Sequence, residues 1–210
     1  MLTILLIRHA TCDHVGRSIA GRAPGLHLND AGRVEAGLLA RRLSRSAVDR
    51  SRGGRPEAVY SGPLERATET AEILGHELGL PVLVEHGLNE LDFGAWTGRT
   101  LSELDGDPRW HAFNSAREHT RIPGGELMAE AIDRAAEALA RMEQAHPGGV
   151  VAAVSHGDII RGLLLRALRM PLDEVHRIEV SPASVSAVQV WDGEPGRVLS
   201  VNWRTEGPTG

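Results

Sequence analysis

Two histidines and an arginine follow apolar runs in this chain. Arg8-His9 comes after residues 2–7, and Ser155-His156-Gly157 comes after residues 150–154. Short apolar runs that stop at polar residues are typical of buried strands in an α/β sheet. Such sheets bind ligands at the carboxyl ends of their strands, so these side chains indicate chemistry rather than packing. A neutral imidazole can attack a phosphoryl group, and the planar fork of arginine binds phosphate oxygens bidentately.

Strand-like and helix-like segments alternate along the chain. Strands are predicted at 2–7, 58–61, 80–84, 150–155, 184–191 and 198–203, the last two as a hairpin around Asp192-Gly193. Helices are predicted from the N-cap Asn29 to about 45, from Pro63 in a first turn to Gly79, and at about 126–144 and 157–169. This order predicts an α/β fold, a three-layer sandwich with a mostly parallel central sheet and helices on both faces.

The length suits one domain, predicted to cover residues 1–210 with a cap-like insertion at 99–125 and a tail at 204–210. Hydrophobic residues at 41% and charged residues at 24% are ordinary for a soluble globular protein. A net charge of −5 argues against binding to nucleic acid or to an anionic membrane. The chain contains no lysine, which excludes a P-loop of the GxxxxGK[ST] type.

Cys12 is the only cysteine, so neither an internal disulfide nor a cysteine-based zinc cluster can form. The apolar start is too short to span a membrane and lacks the basic leader of a secretory signal. We therefore expect a cytoplasmic protein.

Five motifs occur in a fixed order. They are Arg8-His9, the segment 61–71 with Arg66 just inside a helix, the loop 88–98 with Glu90, Pro123-Gly124-Gly125-Glu126, and Ser155-His156-Gly157. Together they resemble the histidine phosphatase superfamily, also called the phosphoglycerate mutase-like fold, from residue 2 to about residue 190.

The resemblance implies a role for each motif. His9 matches the nucleophile that forms a phosphohistidine, and Arg8, Arg66 and His156 match the phosphate-binding residues of the family. The backbone N–H of Gly157 would add a donor at a helix N-terminus, where the macrodipole also favours an anion.

Glu90 matches the proton donor of the family. This role requires a pKa raised by partial burial or by the phosphate charge, because an alkoxide leaves poorly unless it is protonated. Asp92 is the competing carboxylate. Residues two apart diverge in most backbones, so we assign the acid to Glu90.

The chain departs from the family after the nucleophile. Ala10 and Thr11 replace the usual Gly and Glu, and Val15 stands where a phosphate-binding Asn is expected. Thr11 is our candidate for the additional phosphate ligand. The other residues that could substitute are His14, Arg17 and Ser18. Thr97 also replaces the frequent Glu of the family's FGxWEG run.

The expected activity is that of a metal-independent phosphatase, which hydrolyses a small phosphomonoester through a phosphohistidine. No cofactor and no metal site are predicted. The expected partner is a small phosphorylated metabolite, with no nucleic acid or membrane, and the sequence allows a homodimer.

Two alternatives stay open: a cofactor-dependent phosphoglycerate mutase-type phosphotransferase and a non-catalytic phospholigand-binding domain. Mutases carry a longer segment with extra basic residues between the acid and the second histidine, which favours the phosphatase.

Several patterns have more ordinary interpretations. His9, Cys12, Asp13 and His14 could ligate a metal, but no second cluster with ligand-like spacing accompanies them. Phe93 and Trp96 are expected to pack locally, and residues 44–56 to form a solvated loop. An exposed ion-pair stripe is predicted on the long helix at Glu130, Arg134, Glu137 and Arg141. The segment 101–122 would set substrate specificity through Arg109, Trp110, His111, Phe113, Arg117, His119 and Arg121.

Overall fold

Six strands form one sheet in the computed structural model, which describes residues 1–14, 18–45 and 55–205. The strands are β1 (Leu2–Arg8), β2 (Ala58–Ser61), β3 (Val82–Val84), β4 (Val150–Ser155), β5 (Val185–Trp191) and β6 (Glu194–Trp203). Their spatial order is β3-β2-β4-β1-β5-β6. The pairs among β1, β2, β3 and β4 are parallel, and β5 runs antiparallel between β1 and β6. The predicted mostly parallel sheet is confirmed.

The predicted terminal hairpin is also present. The turn residues Asp192 and Gly193 both have positive φ, at 54° and 78°. A two-residue turn with positive φ at both positions matches the right-handed twist of the strands that it joins, which explains why Asp-Gly occurs here.

The helices in the described residues are α1 (Asp30–Arg45), α2 (Glu65–Leu78), α3 (Leu101–Leu104), α4 (Pro108–Ser115), α5 (Met128–Ala145) and α6 (Gly157–Leu168). The side chain of Asn29 caps α1 by accepting a hydrogen bond from the amide of Gly32 at 2.9 Å. Gly79 ends α2 in the left-handed conformation, with φ 69°. The placement of Pro63 in the first turn is wrong, because α2 begins at Glu65.

The helices cover both faces of the sheet. Along β1, Leu2, Ile4 and Leu6 pack in one core cluster with residues of α5 and α6. Leu5 and Ile7 point to the opposite face and pack with residues of α1 and α2. This alternation is the period of two expected of a strand that is buried on both sides. It produces the three-layer arrangement.

The segment between Trp96 and α5 packs around buried aromatic side chains. Trp96 and Phe113 are fully buried, and Phe93 is 5% exposed, so local packing of Phe93 and Trp96 is confirmed. Ser18 forms a bridge with Thr100, which links this segment to the loop that follows β1. The boundaries predicted for the cap and for a single domain stay predictions.

Some of the predictions fall outside the described residues. These are the missing Asn at Val15, the substitute ligand Arg17, most of the loop 44–56 and most of the tail 204–210. Within the described ranges, no helix combines the length and the apolar character needed to cross a bilayer.

Candidate active site

The register of the central strands brings the two histidines together. In the parallel pair β1–β4, Arg8 lies opposite Ser155, so His9 and His156 leave the sheet side by side. The amide of His9 donates to the carbonyl of Ser155 at 2.9 Å. The imidazole ring centroids are 5.2 Å apart, and the exposed fractions of His9 and His156 are 4% and 0%. The predicted meeting of both histidines at the carboxyl edge of the sheet is therefore present.

The imidazole of His9 is held in a form that can act as a nucleophile. Its Nδ1 lies 2.8 Å from the carbonyl oxygen of Ala10. A carbonyl can only accept, so Nδ1 carries the proton and Nε2 carries the lone pair. Burial, followed by the charges of Arg66 and Arg8, lowers the pKa of His9 to about 3. The ring is therefore neutral at physiological pH.

The guanidinium groups of the buried Arg66 and the half-buried Arg8 border this imidazole. Arg66, at the start of α2, is 1% exposed and donates from Nη2 to the carbonyl of Gly21 at 2.7 Å. Arg8 donates from Nη1 to the carbonyl of Val180 at 2.6 Å. The Nε of each arginine and Nη1 of Arg66 have no hydrogen-bond partner among the described residues. Unpaired buried donors cost free energy, so these groups favour a bound anion.

The imidazole of His156 is a third side chain that could bind an anion here. Both nitrogens of its buried ring lack a hydrogen-bond partner among the described residues. Burial, followed by the proximity of His9 and of Arg66, keeps the pKa of His156 well below its usual range. A neutral imidazole offers one N–H donor, which suits a phosphoryl oxygen. The next residue, Gly157, begins α6, and a Cβ built there would lie 3.5 Å from the guanidinium of Arg8.

Glu90 is the carboxylate nearest to these groups. Its Oε2 lies 3.9 Å from Nδ1 of His156, and its Oε1 accepts from the amide of Leu91 at 2.9 Å. Burial, followed by the charge of Asp158, raises the pKa of Glu90 to about 7, although Arg66 acts in the opposite direction. Both protonation states are therefore populated near neutral pH, which general acid–base catalysis requires.

Asp92 has a different environment. Its Oδ1 accepts from the amide of Gly94 at 2.9 Å, and its Oδ2 lies 3.6 Å from Nη1 of Arg22. It is not among the residues that line the pocket, which include His9, Arg66 and Glu90. The structure thus places Glu90, and not Asp92, in one pocket with His9 and the guanidinium groups and near His156.

The pocket has a volume of about 190 Å³ and includes Asp158, which was not predicted from the sequence. Cys12, Ser18 and Asp158 belong to its wall, together with His14. Asp158 is the most important omission, because it is an acid in a pocket of positive charge. The signal was its position in the first turn of α6, directly after His156-Gly157.

Thr11 is not brought into this pocket. Its amide donates to Oε2 of Glu35 at 3.0 Å, and its hydroxyl donates to the same oxygen at 2.8 Å. The carboxylate of Glu35, which lies on α1, therefore binds both the amide and the hydroxyl of Thr11. This contradicts the assignment of Thr11 as a phosphate ligand. The pocket-lining residues Ser18 and His14 are better placed, with His14 Nδ1 3.3 Å from the Ser18 hydroxyl.

The residues that were weighed as metal ligands and set aside do not come together in the structure. The carboxylate of Asp13 accepts from the side-chain amide of Asn29 at 2.9 Å, and His14 contacts Ser18. Within the described parts of the chain, no three His, Cys, Asp or Glu side chains are grouped so that they could hold a metal ion.

The segment 101–122 contributes mainly one side chain near the pocket. Arg117 is 5% exposed, and its Nη1 lies 3.5 Å from Oδ1 of the pocket residue Asp158. Its guanidinium also lies over the ring of Phe113, at 4.6 Å from the centroid. By contrast, Arg109 pairs with Asp107 at 3.0 Å on the surface.

The predicted ion-pair stripe on α5 is wrong. Glu130 pairs with Arg121, Arg141 pairs with Glu85, and Arg134 pairs with Glu126. The partners lie outside the helix because preceding loops approach α5 closely. A helical spacing of three or four residues makes contacts between side chains possible, but tertiary partners compete for the same charges.

Comparison with known proteins identifies the family. The family model of the histidine phosphatase superfamily (branch 1) matches residues 4–204. The chain is 35% identical over 196 residues to phosphoglycerate mutase-like protein 4 of Arabidopsis thaliana, covering 91% of this chain and 80% of that protein. It is 33% identical over 169 residues to a metal-independent phosphoserine phosphatase of the same plant, covering 78% and 67%.

A solved structure agrees. A mycobacterial glucosyl-3-phosphoglycerate phosphatase superposes with a TM-score of 0.80 at 25% identity, over 95% of this chain and 98% of that chain. The chain belongs to the histidine phosphatase superfamily, and within it is a phosphoric monoester hydrolase.

Proposed function

We propose that this chain hydrolyses a small phosphomonoester through a phosphohistidine at His9, without a metal ion. The observation that carries the proposal is the neutral imidazole of His9, whose Nδ1–H is held by the Ala10 carbonyl, bordered by buried guanidinium donors of Arg8 and Arg66. Phosphoryl transfer asks the protein mainly for positioning and for charge around the equatorial oxygens. The site supplies both with its own side chains.

In the first step, Nε2 of His9 forms a bond to phosphorus while the bond from phosphorus to the ester oxygen breaks. Glu90 gives its proton to the departing alkoxide. In the second step, a water molecule attacks the phosphohistidine, its proton passes to the carboxylate of Glu90, and the N–P bond breaks to release phosphate. Arg8, Arg66 and the Gly157 amide donate to the phosphoryl oxygens in both steps, as does an N–H of His156.

The proposed substrate is a small, polar phosphorylated metabolite. Two of the similar proteins are named as phosphatases of phosphoserine and of glucosyl-3-phosphoglycerate, and both are small molecules. The pocket volume of about 190 Å³ suits the phosphoryl group and a compact adjoining portion of such a molecule.

Because the chain also resembles a phosphoglycerate mutase-like protein, phosphotransfer to an organic hydroxyl is a second candidate activity beside hydrolysis. The two activities differ in the phosphoryl acceptor. A phosphatase releases inorganic phosphate in proportion to substrate consumed, whereas a mutase returns the phosphoryl group to an organic hydroxyl. Quantifying phosphate and the dephosphorylated product with 3-phosphoglycerate and phosphoserine separates them.

Chelation tests metal independence. Activity on a panel of phosphomonoesters is expected to survive prolonged treatment with EDTA followed by gel filtration, because His9, Arg8 and Arg66 supply the nucleophile and the charge. Loss of activity on chelation, restored by one divalent ion, would contradict the proposal. Arginine keeps its proton at neutral pH, so the positive charge of Arg8 and Arg66 is the same before and after chelation.

The pH profile should follow Glu90. For alkyl phosphates, kcat/KM is expected to fall as pH rises through about 7, because the proton of the acid is lost at its raised pKa. His9 keeps its lone pair down to about pH 3, so it should not limit the rate between about pH 5 and about pH 7. Comparison with Glu90→Gln at each pH removes the titration of the substrate itself. A descending limb that persists in Glu90→Gln would assign the titration to another group.

A further inference from the structure

An arginine of α5 contacts the segment that carries Glu90. We call residues 87–92 the acid loop. Nη1 of Arg134 donates to the carbonyls of Gly87 at 2.7 Å and Asn89 at 2.8 Å, and Nη2 donates to the carbonyl of Glu90 at 2.9 Å. Nε of Arg22 donates to the same Glu90 carbonyl at 2.8 Å. Two guanidinium groups thus bind the backbone of the acid loop directly.

Glu126 joins the two arginines. Its carboxylate accepts from Nε and Nη2 of Arg134, both at 3.1 Å, and from Nη2 of Arg22 at 2.8 Å. It also accepts from the amide of Asp92 at 3.1 Å, which is a further contact with the acid loop. These side chains are between 20% and 29% exposed, so water screens the interactions only in part.

The carboxyl group of Glu90 depends on this backbone for its position. Oε1 accepts from the amide of the next residue, Leu91, and Oε2 lies 3.9 Å from His156, beyond hydrogen-bond distance. Residues 89–93 belong to neither a helix nor a strand, so no regular ladder fixes their carbonyls. A general acid must come within hydrogen-bond reach of the leaving oxygen, and its backbone therefore needs other supports.

The support of the acid loop is also connected to Arg66, one of the proposed phosphate-binding residues. The carbonyl of Gly21, the residue before Arg22, accepts from Nη2 of Arg66 at 2.7 Å. A shift of Arg22 would consequently move the acid loop relative to Arg66. The acid loop also lies close to α5, since a Cβ on Gly87 would meet Ala138 at 2.7 Å.

We propose that Arg134 is a positioning residue for the general acid, which it holds through the carbonyls of Gly87, Asn89 and Glu90, while Glu126, bound also by Arg22, fixes its guanidinium. This inference rests on the proposed role of Glu90 as proton donor. The guanidinium nitrogens of Arg134 donate to the acid-loop carbonyls and to Glu126. Its main effect is therefore expected in the steps in which Glu90 transfers a proton.

The test compares leaving groups. The substrates are p-nitrophenyl phosphate, whose leaving group needs little protonation, and the alkyl phosphate that the wild-type protein turns over fastest in a panel with phosphoserine and glycerol phosphates. Arg134→Met should lower kcat/KM for the alkyl phosphate by about 10²-fold, the scale of a misplaced catalytic group. For p-nitrophenyl phosphate both kcat and KM should change by less than about 3-fold, because phosphate binding is retained.

Arg141→Met is the matched control. Arg141 lies on the same helix and pairs at 2.8 Å with Glu85, which accepts from the Gly87 amide, but none of its bonds among the described residues reaches the acid-loop carbonyls. Both substrates should react with Arg141→Met at near wild-type rates. A double variant provides the second check, since Arg134→Met should cause little further loss on the alkyl phosphate once Glu90→Gln is present.

Equal losses on both substrates, or full multiplication of the two losses in the double variant, would overturn the positioning role and leave Arg134 a structural residue. If Arg134→Met does not fold, as judged by thermal unfolding, Glu126→Gln tests the same point with a milder change and the same expected selectivity. A different result would show that the proposed function itself is wrong. In that case Glu90→Gln would lower kcat/KM equally for both substrates, and the positioning role of Arg134 would be wrong as well.

Discussion

Replacing His9 with alanine is expected to lower kcat for every phosphomonoester by at least about 10⁴-fold, because the covalent route loses its nucleophile. The expectation rests on the neutral ring, whose Nδ1 donates to the carbonyl of Ala10 and whose Nε2 carries the lone pair. The measurement combines steady-state rates with rapid quenching in base of protein mixed with a ³²P-labelled substrate. Wild-type protein should hold label that is lost in acid, as a phosphohistidine does, and His9→Ala should hold none.

His76→Ala is the control for this experiment. His76 is exposed on α2, away from the residues that line the pocket, and its replacement should leave rate and labelling at wild-type values. Turnover by His9→Ala within about 10-fold of wild type would mean that water attacks phosphorus directly or that another group is the nucleophile. Label that persists in His9→Ala would point to a second residue, for which His156 is the first candidate.

Replacing Glu90 with glutamine should reduce kcat for alkyl phosphates by about 10²–10⁴-fold, the usual contribution of a general acid. The glutamine side chain keeps the shape of glutamate and can still accept the hydrogen bond from the backbone N–H of Leu91. It cannot give a proton to an alkoxide. With p-nitrophenyl phosphate the loss should be far smaller, because p-nitrophenolate leaves without protonation. The ratio of the two losses measures the acid role directly.

Asp92→Asn is the matched control for Glu90→Gln. Asp92 belongs to the same loop, but its carboxylate accepts from the Gly94 amide and faces Arg22. Any loss in Asp92→Asn should be similar for the two substrates. Equal losses for Glu90→Gln would remove it from the proton-transfer step, and selective losses for Asp92→Asn would transfer that role to Asp92.

The sequence predicted the layers and most of the site because these depend on local patterns. The apolar runs of β1 and β4 identify buried strands, and the polar residues after them must lie at the carboxyl edge of the sheet. His9 and His156 were found in this way. Asn29, Gly79 and the Asp192-Gly193 turn were likewise readable, since caps and tight turns depend on residues that are close in sequence.

Contacts between residues distant in sequence account for the errors. Arg134 has acidic residues at ion-pair spacing on its own helix. Its guanidinium instead donates hydrogen bonds to the carbonyls of the acid loop and to Glu126. Thr11 resembles a phosphate ligand by position, yet Glu35 from α1 binds its hydroxyl. In both cases a tertiary partner satisfies a polar group that local sequence would leave to solvent or to ligand.

The sequence by itself determined the fold class and the edge of the sheet at which the candidate site lies, and it predicted the candidate residues His9, Arg8, Arg66, Glu90 and His156. Only the tertiary structure decided the chemical state of these groups. The tautomer of His9 depends on a carbonyl at 2.8 Å, and the raised pKa of Glu90 depends on burial and on Asp158, far away in sequence. Periodic patterns encode which face of an element is buried, whereas a pKa depends on every charge and on the solvent excluded around it.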